Sequence, residues 1–147
     1  MTSGMIAARI GPDLRMAVVG ASSYLATRPR PRKPQDLTKH TCINLRLPTH
    51  GGVYVWELEK NRREVKVRVE GQLIPNGMPQ MLEAAIAGLG LAYVPESFAA
   101  VHIDAGRLER VLEDWCPPFP GYQLYYPSRR QHSPAFALLV EALRYRA

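Results

Sequence analysis

Short apolar runs, broken by single glycines and prolines, set the rhythm of this chain. Met5 to Ile10 is apolar and stops at Gly11-Pro12, which predicts a strand running into a turn. Leu14 to Val19, rich in valine and bounded by Gly20, predicts a strand buried on both faces, of the parallel kind. Ala21-Ser22-Ser23 then opens a short helix through Tyr24 and Leu25, with a serine as its cap. Pro34-Gln35-Asp36-Leu37 starts another, with Pro34 in the first turn. Cys42 to Leu47 alternates as a strand. Tyr54, Trp56 and Leu58 alternate with Val55, Glu57 and Glu59. After a turn at Lys60 to Arg63, Val65, Val67 and Val69 alternate with Lys66, Arg68 and Glu70. These two runs predict a hairpin with one wet face, on which Lys66 and Arg68 find cross-strand partners.

The second half changes period. Leu73-Ile74 is a strand end, and Met78-Pro79 opens a helix. Met81, Leu82, Ala85, Ile86 and Leu89 have helical spacing and predict one buried stripe, stopped by Gly88 and Gly90. Leu91 to Val94 is a short buried strand ended by Pro95. Glu96 to Ile103 reads as helix, Leu108 to Leu112 as strand, residues 117–121 as an ordered loop, and Tyr122 to Tyr126 as strand. Pro134 starts a last helix with Phe136, Leu139, Val140 and Leu143 on one face. Strands alternate with helices throughout, so the fold class is α/β.

Composition narrows the function. The chain has 147 residues, 46% hydrophobic and 22% charged. That is globular, with length enough for a core that needs no staples. No apolar run approaches the ~18 residues of a membrane span. Met1-Thr2-Ser3-Gly4 does not open a secretory leader. Cys42 and Cys116 lack CxxC partners, so neither zinc nor another cofactor is expected, and a reducing cytoplasm is the default. The net charge of +6 gathers at Arg28-Pro-Arg30-Pro-Arg32-Lys33 and around Lys60 to Arg68. Each cluster reads either as solvated surface or as an anion or nucleic-acid contact. His40, His50, His102 and His132 stand without an Asp or Cys at a catalytic spacing. Cys42 reads as a small buried hydrophobe. Cys116 is structural or, alternatively, a redox-sensing thiol. Trp56 and Trp115 read as core or rim aromatics. With no nucleophile–base pair, an enzyme is not expected.

Several segments, in order, resemble the effector-binding domain of LysR-type transcriptional regulators. They are Gly20-Ala-Ser-Ser-Tyr24-Leu25, Pro34-Gln-Asp36-Leu37 through His40-Thr-Cys42-Ile43, and Trp56-Glu-Leu58. They continue with Ala84 through Gly88-Leu-Gly90 to Pro95, Gly106-Arg-Leu108 through Leu112, and Tyr125-Tyr-Pro127-Ser-Arg129. The resemblance covers nearly the whole chain and implies a type 2 periplasmic-binding-protein fold, with two α/β subdomains facing each other across a ligand cleft. Residues 1–20 would be a remnant of the first subdomain and the first crossing strand, and residues 21–121 a nearly complete second subdomain. Residues 122–147 would be the return crossing and the last helix of the first subdomain. The family's winged helix-turn-helix is absent from this chain, so it reads as an expressed fragment or a truncated reading frame that contacts DNA only through that missing domain. Where the family often has Ser-Pro-x-Tyr, this chain has Ala21-Ser22-Ser23-Tyr24, which puts ligand contact there in question.

The resemblance and helix electrostatics together set the expected site. A helix N-terminus directly after a strand suits a small acid, because its free N–H groups and macrodipole point outward. Pro75, Asn76, Gly77 and Met78 form one such turn, although Asn76 also reads as a plain cap. Gly20, Ser22 and Ser23 form a second, and again a plain cap competes. Val19, Tyr126 and Pro127 are expected at the crossings as hinge packing. The partners implied are a small carboxylate or aromatic-acid effector and further copies of the chain, as dimer or tetramer, with no membrane. Apolar surface on Leu139 and Leu143 is expected to be exposed. The alternative is a stand-alone solute-binding module of the periplasmic type. An in-frame helix-turn-helix or a secretory leader encoded upstream would separate the two.

Overall fold

The computed structural model describes residues 5–44, 55–69, 71, 77–127 and 133–145. Contacts divide the chain into two compact units, residues 1–14 with 118–147, and residues 15–117. The borders expected from the sequence, 20/21 and 121/122, lie a few residues further along.

The larger unit is built on a four-stranded sheet in the order β3-β6-β2-β7. Its strands are β2 (Met16–Gly20), β3 (Cys42–Ile43), β6 (Leu91–Pro95) and β7 (Glu109–Val111). Alternation along each strand sorts the side chains into two layers. Ala17, Val19, Ile43, Ala92 and Val94 face helices α2 (Met78–Ile86) and α3 (Glu96–Asp104), meeting Met81, Ala85, Ala99 and Leu108. Alanines at 17, 85, 92 and 99 keep that layer thin and let the helices seat close to the sheet. Val18, Cys42, Leu91, Tyr93 and Val111 face the opposite layer of larger side chains, including Tyr24, Leu37, Trp56 and Leu58. The strand at Leu14 to Val19 is therefore buried on both faces, as its composition requires. It is not parallel, however: β2 pairs antiparallel with both β6 and β7, and the β3–β6 pair is parallel. Two covering layers bury both faces whatever the direction of the neighbours, so an apolar run reports burial and not strand direction.

Trp56–Lys60 (β4) and Arg63–Val67 (β5) form the expected hairpin. Trp56, Leu58 and Val67 are buried while Glu57, Glu64 and Lys66 are exposed. Its two-residue turn, Asn61-Arg62, has positive φ at both positions, as a turn matching the strand twist demands. The register sets Glu57 opposite Lys66. Arg68 falls beyond the paired register, and Glu59 faces Glu64, so cross-strand charge pairing is only partial. Lys60 instead bonds Asp114 at 2.8 Å and lies 5.7 Å above the Trp115 ring.

Both long helices of this unit end on glycine. In α2, Gly88 N–H donates to Ala85 O and Leu89 N–H to Ala84 O, with Gly88 at φ +82°. In α3, Gly106 and Arg107 repeat the arrangement. Only the left-handed residue glycine tolerates closes these caps. The buried stripe expected on α2 is narrower than its spacing implies. Met81 and Ala85 are buried, Leu82 and Ile86 are half-buried, and Leu89 is 50% exposed, since the chain leaves the helix axis at Ala87.

The smaller unit pairs β1 (Met5–Arg9) antiparallel with β8 (Gln123–Pro127) and carries α4 (Pro134–Leu143). Ser133 Oγ caps α4 by accepting from Phe136 N–H at 3.1 Å. Of the four apolar positions expected on one face, Val140 is buried and Phe136 half-buried, while Leu139 and Leu143 are 52% and 41% exposed. Helical spacing aligns the four, but two strands and one helix offer too little surface to cover them. Residues 45–47, Tyr54, Glu70, Leu73 and Ile74, called as strand positions, lie outside the described residues, as do His50 and His132.

Candidate functional site

Gly20 ends β2 at a close approach: a Cβ added there would lie 2.8 Å from Leu91 Cδ2. The chain then makes one turn of helix, α1 (Ser22–Leu25). The expected serine cap is not formed. Ala21 occupies the cap position and no side chain bonds the helix end. Ser22 and Arg30 instead hold the Glu109 carboxyl below the usual glutamate range. Four residues sum little macrodipole. The turn is therefore a weaker anion site than its sequence implied.

At the other turn, Gly77 is the N-cap of α2 in extended conformation, with no side-chain cap bond and Pro79 in the first turn. Pro75 and Asn76 lie outside the described residues. The nine residues of α2 offer more than two turns of aligned dipoles. Met78, Pro79, Leu82, Glu83 and Ile86, with Phe98 and His102 of α3, line an open, mainly apolar hollow of about 430 Å³. Periodicity alone did not reveal this hollow, because its lining comes from two separate helices.

Ser23 and Gly77 lie toward opposite ends of α2. Ser23 Oγ lies 3.0 Å from the Cβ position of Gly88, at the C-terminal end of α2, whereas Gly77 is at its N-terminal end. Nine helical residues span roughly 13 Å. Of the expected hinge residues, Val19 is fully buried mid-sheet, opposite Ala92 and Arg110. Tyr126 pairs with Ile6 and stands edge-on to Phe136 at 5.3 Å, and Pro127 lies opposite Met5.

The basic tract is largely occupied. Arg28 stacks 4.1 Å over the Tyr24 ring and donates to Tyr24 O, and Arg30 pairs with Glu109. The Asp36 carboxylate accepts the Arg32 and Lys33 N–H groups, which with nearby lysines holds it below the usual aspartate range. Cys42 is the small buried hydrophobe its position implied, and burial pushes its thiol up to about 12. Burial also raises the Cys116 thiol. Trp56 is a core aromatic, stacked on Tyr93 at 5.4 Å. Among the described residues no three His, Cys, Asp or Glu side chains gather to hold a metal ion. No described helix is long and apolar enough to cross a membrane.

One unit has a mixed sheet with helices on one face and a hairpin layer on the other, and the other unit has two strands and a helix; this is the α/β architecture of the type 2 periplasmic-binding-protein-like fold. Solved relatives share it. The regulatory domain of AphB from Vibrio vulnificus matches with a TM-score of 0.72 at 25% identity, over 97% of this chain and 68% of that one. The CrgA regulatory domain of Neisseria meningitidis, a LysR-type transcriptional regulator, matches with 0.62 at 18%, over 96% and 68%. The chain belongs to the LysR substrate binding domain family, which matches residues 1–147. It is 45% identical over 146 residues to the HTH-type transcriptional regulator PgrR of Escherichia coli K12, covering 99% of this chain and 49% of that protein. It is 59% identical over 141 residues to a Pseudomonas aeruginosa protein named as a candidate transcriptional regulator, covering 96% and 46%. The chain thus spans about half the length of the curated relatives it matches. These relatives are regulators of transcription, not enzymes.

Proposed function

We propose that this chain is the effector-sensing part of a DNA-binding transcriptional regulator, and that its effector is a small carboxylate or aromatic acid. The supporting observation is the N-terminus of α2, where a glycine cap leaves the helix end without a side-chain partner. Backbone N–H groups and the positive end of the dipole there favour an anion, and Gly77 lets it approach the backbone. The effector turn is then residues 75–78, with Asn76 supplying a donor and an acceptor. Gly20, Ser22 and Ser23 do not share that ligand. Binding stabilises one conformation over another, and the change passes to partner copies in a dimer or tetramer and to a helix-turn-helix domain outside this chain. Such a regulator works in the cytoplasm.

A thermal-shift screen of carboxylates and aromatic acids against the full-length regulator identifies the effector. Asn76→Asp then places a like charge beside the acid. At about 4 Å that costs between ~1 and ~4 kcal/mol, so affinity falls about five-fold or more. Ser23→Asp, at the far end of α2, leaves affinity unchanged. Equal affinity in Asn76→Asp and the unaltered protein removes this turn from the site.

A further inference from the structure

His40 sits where three segments converge. Its Nδ1 lies 2.9 Å from the Tyr24 hydroxyl on α1, and the two rings are 5.7 Å apart. The Tyr24 oxygen already accepts Thr41 N–H at 3.0 Å. Its single proton has two possible destinations, His40 Nδ1 at 2.9 Å or Thr41 O at 3.4 Å, and the shorter contact is the stronger. Nδ1 is then an acceptor, and the ring proton is on Nε2. Tyr24, which lies under Arg28 at 4.1 Å and accepts the Arg28 guanidinium at its carbonyl, thereby links His40 and the segment before β3 to α1 and the Arg-Pro tract.

We propose that His40 is an acid-sensitive latch, which holds α1 and the Arg-Pro tract against the sheet while neutral and releases them when protonated. A second ring proton on Nδ1 would confront the Tyr24 hydroxyl proton. Tyr24 would have to turn that proton to the more distant Thr41 carbonyl. The new charge also arises beside Arg28, which is pinned over the same tyrosine ring. The charged and titratable groups facing His40 are Arg28 from the tract, Asp36 from the 3-10 turn and Tyr24 from α1. Cys42 of β3 is a neutral thiol. Asp36 favours the imidazolium, but its carboxylate is engaged with two backbone N–H groups. Burial, first, and Arg28 hold the His40 pKa below the usual histidine range. The sign follows: the unfolded or released ring binds protons more readily, so the latch is intact above about pH 6.5 and weakens as the pH falls below it.

The test is hydrogen exchange on the full chain at pH 7.5 and 5.5, corrected for intrinsic rates. The expected result is a several-fold loss of protection at Leu25, Ala26, Arg28 and Thr41 in acid, with the β2 and β6 amides unchanged. His40→Asn keeps an acceptor for Tyr24 and cannot be protonated, so its protection at these amides should not depend on pH. An equal loss in His40→Asn overturns the latch. Ring ¹⁵N shifts of His40 in the unaltered protein give a second reading: the Nε2–H tautomer at pH 7.5 is required, and the Nδ1–H tautomer refutes the proposal.

Discussion

Replacing Trp56 with alanine tests how the hairpin is held. The β4–β5 ribbon pairs with no other strand among the described residues, and a two-stranded ribbon alone is marginal in water. Its hold on the unit therefore comes from the face bearing Trp56, Leu58 and Val67. Trp56 is 1% exposed and stacks on Tyr93, whose hydroxyl donates to Glu57 O at 2.8 Å. A tryptophan buries about 150–250 Å², which at ~25 cal/mol per Å² is about 4–6 kcal/mol. Residual burial in the denatured chain lowers this by roughly 10–40%, and about 3–5 kcal/mol is the usual cost of Trp→Ala in a core. With a urea slope of ~2 kcal/mol per M, the midpoint should fall by about 2 M. Trp115 remains as the one tryptophan of the variant, so its fluorescence follows the unit of residues 15–117 directly. A loss below about 1 kcal/mol would refute the reasoning, because it would mean that the hairpin is held by its backbone pairing and not by this face.

Gly90→Ala should cost roughly 2–4 kcal/mol in the same unfolding assay, through strain and a displaced hydrogen bond. Gly90 has φ +156°, and a Cβ there would lie 2.6 Å from Thr41 O, which accepts Leu91 N–H at 2.9 Å. Arg62→Gly should stabilise by about 0.5–1 kcal/mol, because Arg62 is exposed and holds φ 65° in the hairpin turn; a lower melting temperature would contradict this. The thiol of Cys42, held up to about 12 by burial, is almost wholly protonated at pH 8. A thiol reagent should therefore modify it only as fast as the unit opens, and rapid labelling under native conditions would count against that burial.

Much of the architecture was legible because alternation and helical spacing are local properties. Trp56, Leu58 and Val67 announced the buried face of a hairpin, and Gly88 announced a helix end, from a few neighbouring residues each. The α2 turn was legible too, because a glycine and a proline at a helix start leave a mark in the sequence. The serine cap was misread because the helix begins one residue earlier than a serine cap needs, with Ala21 at the cap and Ser22 already inside. His40 carried no signal, since its partner Tyr24 acquires meaning only when the chain folds back over it.

What the sequence by itself determined, then, is which positions avoid water and where elements start and stop. Those depend on side-chain hydrophobicity and backbone φ preferences within a few residues. Only the tertiary structure decided that β2 runs antiparallel to both neighbours, that Leu82 and Ile86 pack at the edge of the core and also line a hollow, and that Ser23 and Gly77 lie toward opposite ends of α2. Each of these depends on which distant segment covers a given face, and an apolar side chain is satisfied by any cover.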